Sequence, residues 1–210
     1  MNRVDDIYSK SKNVKEFADR YAAYLSELLA SLDTTAVQKV TEAFLRARAE
    51  GRKIYFIGNG GSAATASHFA NDFAIGTRSA HKPFRAVSLT DNVAVMTCIG
   101  NDFGYDELFT KQLEVLLEPG DLLVAISASG NSPNLLKAVE FAKRRGNTCI
   151  GFVGFDGGKL LEACQMNIHI KTAKGEYGPV EDMHMVLDHL ISSYLIRLVL
   201  AEGAQRTHEN

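Results

Sequence analysis

After Gly51 the chain settles into a repeating order: a short apolar run, a polar turn rich in glycine, serine or asparagine, then a helical stretch. Ile54-Tyr55-Phe56-Ile57, Arg85 to Leu89, Leu122 to Ser127, Thr148 to Val153 and Met166 to Ile170 read as five strands, the last near an edge. Helical patterns fill the gaps: an Ala-rich stretch after Ser62, Pro133 to Arg145, and about Glu181 to Leu200. Pro133 falls in a first turn, where its missing N–H costs nothing. Strands that alternate with helices pair in parallel, and a parallel sheet must be covered on both faces. The expected fold is therefore α/β, a doubly wound five-stranded parallel sheet flanked by helices. Ligands of such sheets sit beyond the carboxyl ends of the strands. The turns that follow the strands are the places to look for function.

Two amphipathic helices precede the alternation. Phe17, Tyr21, Tyr24, Leu25, Leu28, Leu29 and Leu32 share one face between Asn13 and Leu32. Asp33-Thr34-Thr35 then breaks the pattern and caps a second helix ending at Gly51. Residues 1–50 thus form a helical extension, either packed on the α/β core of residues 51–200 or docked on another subunit, and 1–210 reads as one domain. A chain of 210 residues buries roughly 70% of its unfolded surface without disulfide staples. Cys98, Cys149 and Cys164, an odd number in apolar surroundings, are expected as buried free thiols of a reducing compartment. Lys+Arg is 23 against 25 for Asp+Glu, a net charge of −2, so the basic excess of a nucleic-acid binder is missing. Asp5 and Asp6 stand where a signal peptide would be apolar. The most apolar stretch, Leu190 to Ala201, is broken by Arg197 and is shorter than the ~20 residues of a membrane span. The expectation is a cytoplasmic protein with neither membrane nor nucleic acid as partner.

Five segments carry chemistry. Gly58-Asn59-Gly60-Gly61-Ser62 lies between strand and helix, where glycines let backbone amides approach an anion and the helix start adds favourable partial charge. It matches a dinucleotide fingerprint only loosely and lacks the Gly-Lys-Ser/Thr ending of a nucleotide P-loop; a plain tight turn is the bland alternative. Ser127-Ala128-Ser129-Gly130-Asn131-Ser132 offers three hydroxyls and a glycine, a neutral cradle for a phosphate monoester. Helix capping explains one such side chain, not three. His68 and Asp72, four apart, share a helix face and suit metal binding or proton transfer, or simply a surface pair. On the last helix Glu181, Asp182, His184, Asp188 and His189 cluster, and spacing alone favours His184 with Asp188 as the same-face pair; a solvated acidic face is the alternative. Thr90-Asp91-Asn92 and Gly100-Asn101-Asp102-Phe103-Gly104 are turn formers that could bind sugar hydroxyls.

Taken in order, Gly58 to Ala63, His68-Phe69-Ala70, Gly100 to Gly104, the serine loop and Asp156-Gly157-Gly158 resemble the phosphoheptose isomerase family, a branch of the sugar isomerase (SIS) domain, over about residues 14 to 200. The resemblance implies a SIS-type sheet and a homotetramer with sites near subunit interfaces. It implies isomerisation of sedoheptulose 7-phosphate to a manno-heptose 7-phosphate that feeds lipopolysaccharide or other surface glycans. Sugar-phosphate contacts carried over by motif fall on Asn59, Gly60, Gly61, Ser62, Asn101, Asp102, Ser127, Ala128, Ser129 and Ser132, with Asp72 and Glu181 beside them. The ligands of one zinc ion per subunit fall on His68, Asp72, Glu181 and His189, and the catalytic pair on Asp72 as base and His189 as acid/base partner. The chain departs from the family at Asp72 (glutamate there), Glu181 (glutamine), Ala128 (threonine) and Gly178-Pro179, where an arginine is missing. Residues 181 and 189 lie about 12 Å apart along a regular helix, so both reach one ion only if Glu181 leans in from a frayed start or the chain bends. Other readings are a non-enzymatic, replication-initiator-associating SIS protein, an isomerase of another sugar phosphate, and a dinucleotide enzyme.

Overall fold

The computed structural model describes residues 2–78 and 81–207, so the extreme ends of the expected 1–210 domain lie outside the described residues. Polar caps set where the first helices begin. Asn2 caps α1 (Arg3–Ser9), and Asn13 caps α2 (Val14–Ala30) by accepting from Glu16 N at 3.0 Å. Asp33 caps α3 (Thr34–Ala49), accepting from the Thr35 and Ala36 amides.

The strands β1 (Lys53–Gly58), β2 (Arg85–Ser88), β3 (Leu122–Ser127), β4 (Thr148–Val153) and β5 (Met166–His169) form a sheet of five among the described residues. All pairs are parallel and the order is β2-β1-β3-β4-β5. The central strands are apolar throughout because both faces are buried. Ile54, Phe56, Val124, Ile126, Ile150 and Phe152 face α1, α2, α3, α4 (Gly61–Asn71) and α9 (Tyr177–Thr207). Tyr55, Ile57, Leu123, Ala125, Cys149 and Val153 face α5 (Val93–Asp102), α6 (Thr110–Leu116), α7 (Pro133–Arg144) and α8 (Gly158–Ala163). The N-terminal helices thus share a core with α4 and α9: Ile7, Tyr24, Leu28, Val40 and Phe44 are all buried in it.

The chain winds outward in opposite directions from β1 and β3, which are neighbours in register Gly58↔Ile126. This is the switch point where such sheets leave a crevice, and the glycine loop and serine loop both open there.

Several expectations need correcting. The last helix starts at Tyr177, four residues before Glu181, so Glu181 lies in regular helix with no frayed end to lean from. Its apolar length from Tyr177 to Glu202 would suffice to cross a bilayer, yet Val180, Met183, Leu187, Ile191 and Leu195 are buried in the sheet-facing core. Cys98 is exposed, on the outer face of α5, while Cys149 and Cys164 are buried free thiols whose pKa burial pushes up to about 12. The short helices α1, α5, α6 and α8 escape the sequence reading because fewer than three turns are too few to display a period.

Candidate functional site

An aromatic stack aims α4. Phe69 lies flat on Phe56 at 5.1 Å and edge-on to Phe152 at 5.3 Å, and Phe73 meets Phe44 at 5.1 Å. Each buried ring contributes roughly 1.5–3 kcal/mol and fixes the roll of the helix. His68 and Asp72, each one residue before a buried phenylalanine, are thereby turned toward α9. At Asp72 the α-helical ladder widens into a π-turn, Asp72–Gly76, a device common at functional sites.

There α4 meets α9. His68 Nε2 lies 3.2 Å from His189 Nε2, 3.7 Å from Asp72 Oδ2 and 4.0 Å from Asp188 Oδ2. One donor atom from each of His68, Asp72, Asp188 and His189 falls within 4.8 Å of all the others. Ser192 Oγ reaches toward Asp72 Oδ2 at 3.4 Å. Asp188 is fully buried and neither of its oxygens has a hydrogen-bond partner. Burial, reinforced by the Asp72 charge, pushes its pKa up to about 8. Glu181 is not in this group. Its carboxylate rests against Gly61, where even a methyl group would collide with it, and burial, with a smaller push from Asp182, raises its pKa.

His184 is not in the group either. It is fully buried against Phe152 (6.2 Å), and neither ring nitrogen completes a hydrogen bond of normal geometry. Burial lowers its pKa to about 4 against a smaller upward pull from the Val153 backbone. Of the pair favoured by spacing, Asp188 joins the cluster and His184 stays in the core.

The two loops are locked by amide and backbone contacts. Asn59 and Asn134 exchange two side-chain hydrogen bonds, 2.9 Å each way, and Tyr105 OH donates to Asn59 Oδ1 at 3.1 Å. Asn134 Oδ1 also accepts from Leu135 N at 3.0 Å, at the start of α7. In the serine loop Ser127 Oγ accepts from Gly130 N at 3.0 Å and Ser129 Oγ from Asn131 N at 3.4 Å. Each hydroxyl spends an acceptor position on the backbone and keeps its O–H to give. Ser132 occupies the N-cap of α7 without a side-chain capping bond, so capping does not account for it. Gly130, at φ +62°, presses on the Gly157 carbonyl.

Of the remaining sequence-derived residues, Gly60 (φ +56°) and Gly61 shape the start of α4, and Ser62 is buried there. Ala128 turns its methyl into the apolar core, leaving only backbone on the loop. Asn101 and Asp102 end α5, exposed, hydrogen-bonded to each other at 2.7 Å. Tyr105 and Asn134 escaped the sequence reading. Asn134, directly after the serine loop, carried a signal in its position; Tyr105 carried none.

Fold and loops together define a SIS-domain protein, and the SIS domain family pattern matches residues 16–154. Within that fold the chain belongs to the phosphoheptose isomerase family. It is 40% identical over 155 residues to a phosphoheptose isomerase of Burkholderia pseudomallei (strain 1710b), covering 74% of this chain and 78% of that one. It is 35% identical over 179 residues to that of Aliarcobacter butzleri (strain RM4018), covering 81% and 94%. Among solved structures, a phosphoheptose isomerase from Francisella tularensis superimposes with a TM-score of 0.78 at 26% identity, covering 94% of this chain and 100% of that one. One from Neisseria gonorrhoeae gives 0.77 at 30%, covering 87% and 99%.

Proposed function

We propose that this isomerase interconverts sedoheptulose 7-phosphate and D-glycero-D-manno-heptose 7-phosphate. The observation that carries the reading is that, in a chain of this family, two polar loops open at the sheet's switch point and an imidazole–carboxylate cluster stands on α4 and α9, two to three helical turns from the glycine loop. The O–H groups of Ser127, Ser129 and Ser132 and the loop amides hold the phosphate without a cation. Asn59, pinned by Asn134 and Tyr105, orients the sugar. Glu181, Asn101 and Asp102 remain candidate contacts of the chain's hydroxyls.

Zinc, one ion per subunit, belongs to the reading. Two nitrogens bound at about 2.0–2.1 Å to a tetrahedral ion stand about 3.3 Å apart, and the His68 and His189 Nε2 atoms are 3.2 Å apart. His68, Asp72 and His189 are donors on which the family resemblance and this geometry agree. When bound, the ion polarises the carbonyl and steadies the developing oxyanion.

The proton work falls to the chain itself. Asp72 takes the C1 proton of the ketose, and the C1–H electron pair becomes the C1–C2 double bond of an enediol as O2 gains a proton. Loss of the O1 proton restores a carbonyl at C1, and Asp72 returns a proton to C2. His189, through Nδ1, the nitrogen turned away from His68, carries the proton between O2 and O1. Turnover in deuterium oxide is the test. Wild type should place solvent deuterium at C2 of the aldose. Asp72→Asn and His189→Ala should keep the fold by circular dichroism and lose turnover. Full turnover by either variant would refute the assignment. A panel of five- to seven-carbon ketose phosphates should be turned over fastest at seven carbons.

The same resemblance supports a cytoplasmic homotetramer whose product supplies heptose for surface glycans; sedimentation of the purified chain reads the assembly state.

A further inference from the structure

The Asp156-Gly157-Gly158 turn, between β4 and α8, takes no part in the proton transfers, yet it lies directly behind the serine loop. A Cβ on Gly130 would stand 2.0 Å from the Gly157 carbonyl oxygen. One on Gly158, whose φ is +53°, would stand 2.4 Å from the Ser129 carbonyl oxygen and 2.6 Å from Asn131 Nδ2. The two turns therefore meet backbone to backbone, with no room for a side chain between them. The glycine turn is held from its own side as well: Gly157 N donates to the Gly154 carbonyl at 2.7 Å and Gly158 N to Asp156 Oδ1 at 3.2 Å.

Asn131 ties the two together. Its side chain donates through Nδ2 to the Ser129 carbonyl at 2.8 Å and accepts through Oδ1 from Lys159 N, in α8, at 3.1 Å. Leu160 N donates to the Gly130 carbonyl at 2.9 Å. Both loop carbonyls are thus held on the α8 side. A peptide group is planar and trans, so its N–H points opposite its C=O. The N–H groups of the same two peptides, those of Gly130 and Asn131, accordingly point the other way, to Ser127 Oγ at 3.0 Å and Ser129 Oγ at 3.4 Å. A hydroxyl whose acceptor position is filled from the backbone turns its O–H elsewhere. What residue 131 must supply is one donor and one acceptor on a short uncharged side chain, and asparagine supplies both.

We propose that Asn131 is a positioning residue of the phosphate grip. By tying the Ser129 carbonyl to the start of α8 it turns the following N–H onto Ser127 Oγ, and so aims the Ser127 hydroxyl at the phosphate. The Asp156-Gly157-Gly158 turn is the wall against which the tie is made. This rests on reading the serine loop as the phosphate site, and the experiment separates the two claims.

Affinity of the full-length protein for inorganic phosphate would be read by phosphorus NMR line broadening, which needs no turnover, in wild type, Asn131→Ala, Ser127→Ala and the double variant. KM and kcat would be read with sedoheptulose 7-phosphate. Asn131 is exposed, so Asn131→Ala should keep the circular dichroism of wild type. It should weaken phosphate about tenfold and raise KM about tenfold, with kcat within about threefold, the scale of one hydrogen bond. The double variant should lose about as much phosphate affinity as Ser127→Ala alone, because one residue acts through the other. If Asn131→Ala does not fold, Asn131→Ser carries the same measurement. Phosphate affinity of the Asn131 variant within about twofold of wild type, a fall in kcat at unchanged KM, or losses that multiply in the double variant would overturn the proposal. A wild type that binds no phosphate would overturn the phosphate reading of the loop and the proposal with it. One that binds phosphate but leaves sedoheptulose 7-phosphate unchanged would overturn the reaction, and the phosphate affinities alone would still decide the role of Asn131.

Discussion

The Nε2 atoms of His68 and His189, 121 residues apart in the chain, face each other across 3.2 Å. Neither helix makes this encounter alone. The aromatic stack under α4 and the buried stripe Met183, Leu187 and Ile191 of α9 bring the two imidazoles to one point.

That encounter predicts a metal-dependent stability. Zinc at a thousand times its dissociation constant should add about 4 kcal/mol. For a domain of this size, with 2–4 °C per kcal/mol, the melting temperature should rise by roughly 10 °C. Chelation should remove the increment and His68→Ala should never show it. Scanning calorimetry with zinc and with chelator reads the difference; equal melting temperatures in both would contradict a native zinc site.

The Asn59–Asn134 bridge predicts a positioning effect at a residue outside the sugar contacts. Asn134→Leu keeps the size and leaves Asn59 with one amide partner fewer, while the Leu135 amide keeps its bond to the Ser132 carbonyl. Stability should fall by about 1–3 kcal/mol in a denaturant titration, and KM should rise about tenfold with kcat less affected. A reduced kcat at unchanged KM would argue that Asn134 works through something other than Asn59.

The serine loop separates binding from scaffolding. Ser129→Ala deletes one donor from a half-exposed site, so KM should rise while stability stays within about 0.5 kcal/mol of wild type. Gly130→Ala is different in kind. Its φ of +62° alone costs a side chain about 1–2 kcal/mol, and the new methyl would stand 2.0 Å from the Gly157 carbonyl oxygen. The loop must shift, so both stability and phosphate affinity should fall, read by denaturation and by inhibition with inorganic phosphate.

His184 sets an acid limit. Its pKa is about 4 in the fold, through burial, and about 6.5 in the unfolded chain. Between those values the unfolded state binds a proton that the folded state refuses, so stability falls as pH falls, by about 1.4 kcal/mol per unit. The loss sums to about 3 kcal/mol at pH 4 and vanishes above pH 7. His184→Phe, packed on Phe152, should flatten this part of the curve. Identical slopes for both proteins between pH 6.5 and 4 would assign the acid sensitivity elsewhere.

How far the sequence reaches depends on how local the physics is. The bounds of β3 and β4 are legible because each is an unbroken apolar run ended by a polar turn, and the caps at Asn13 and Asp33 act within three residues. His68 and Asp72 are legible as a pair because they share one helix. The place of Glu181 is not legible, because it depends on how far α9 slides along α4.

By itself, then, the sequence determined the parallel sheet, the two loops at its switch point and the residue types of the site, since period, turn chemistry and helix spacing all act within a few residues. Only the tertiary structure decided which residues of the last helix join the cluster. Which residues those are depends on how far α9 slides along α4, and that slide is set by side chains packing between segments more than a hundred residues apart.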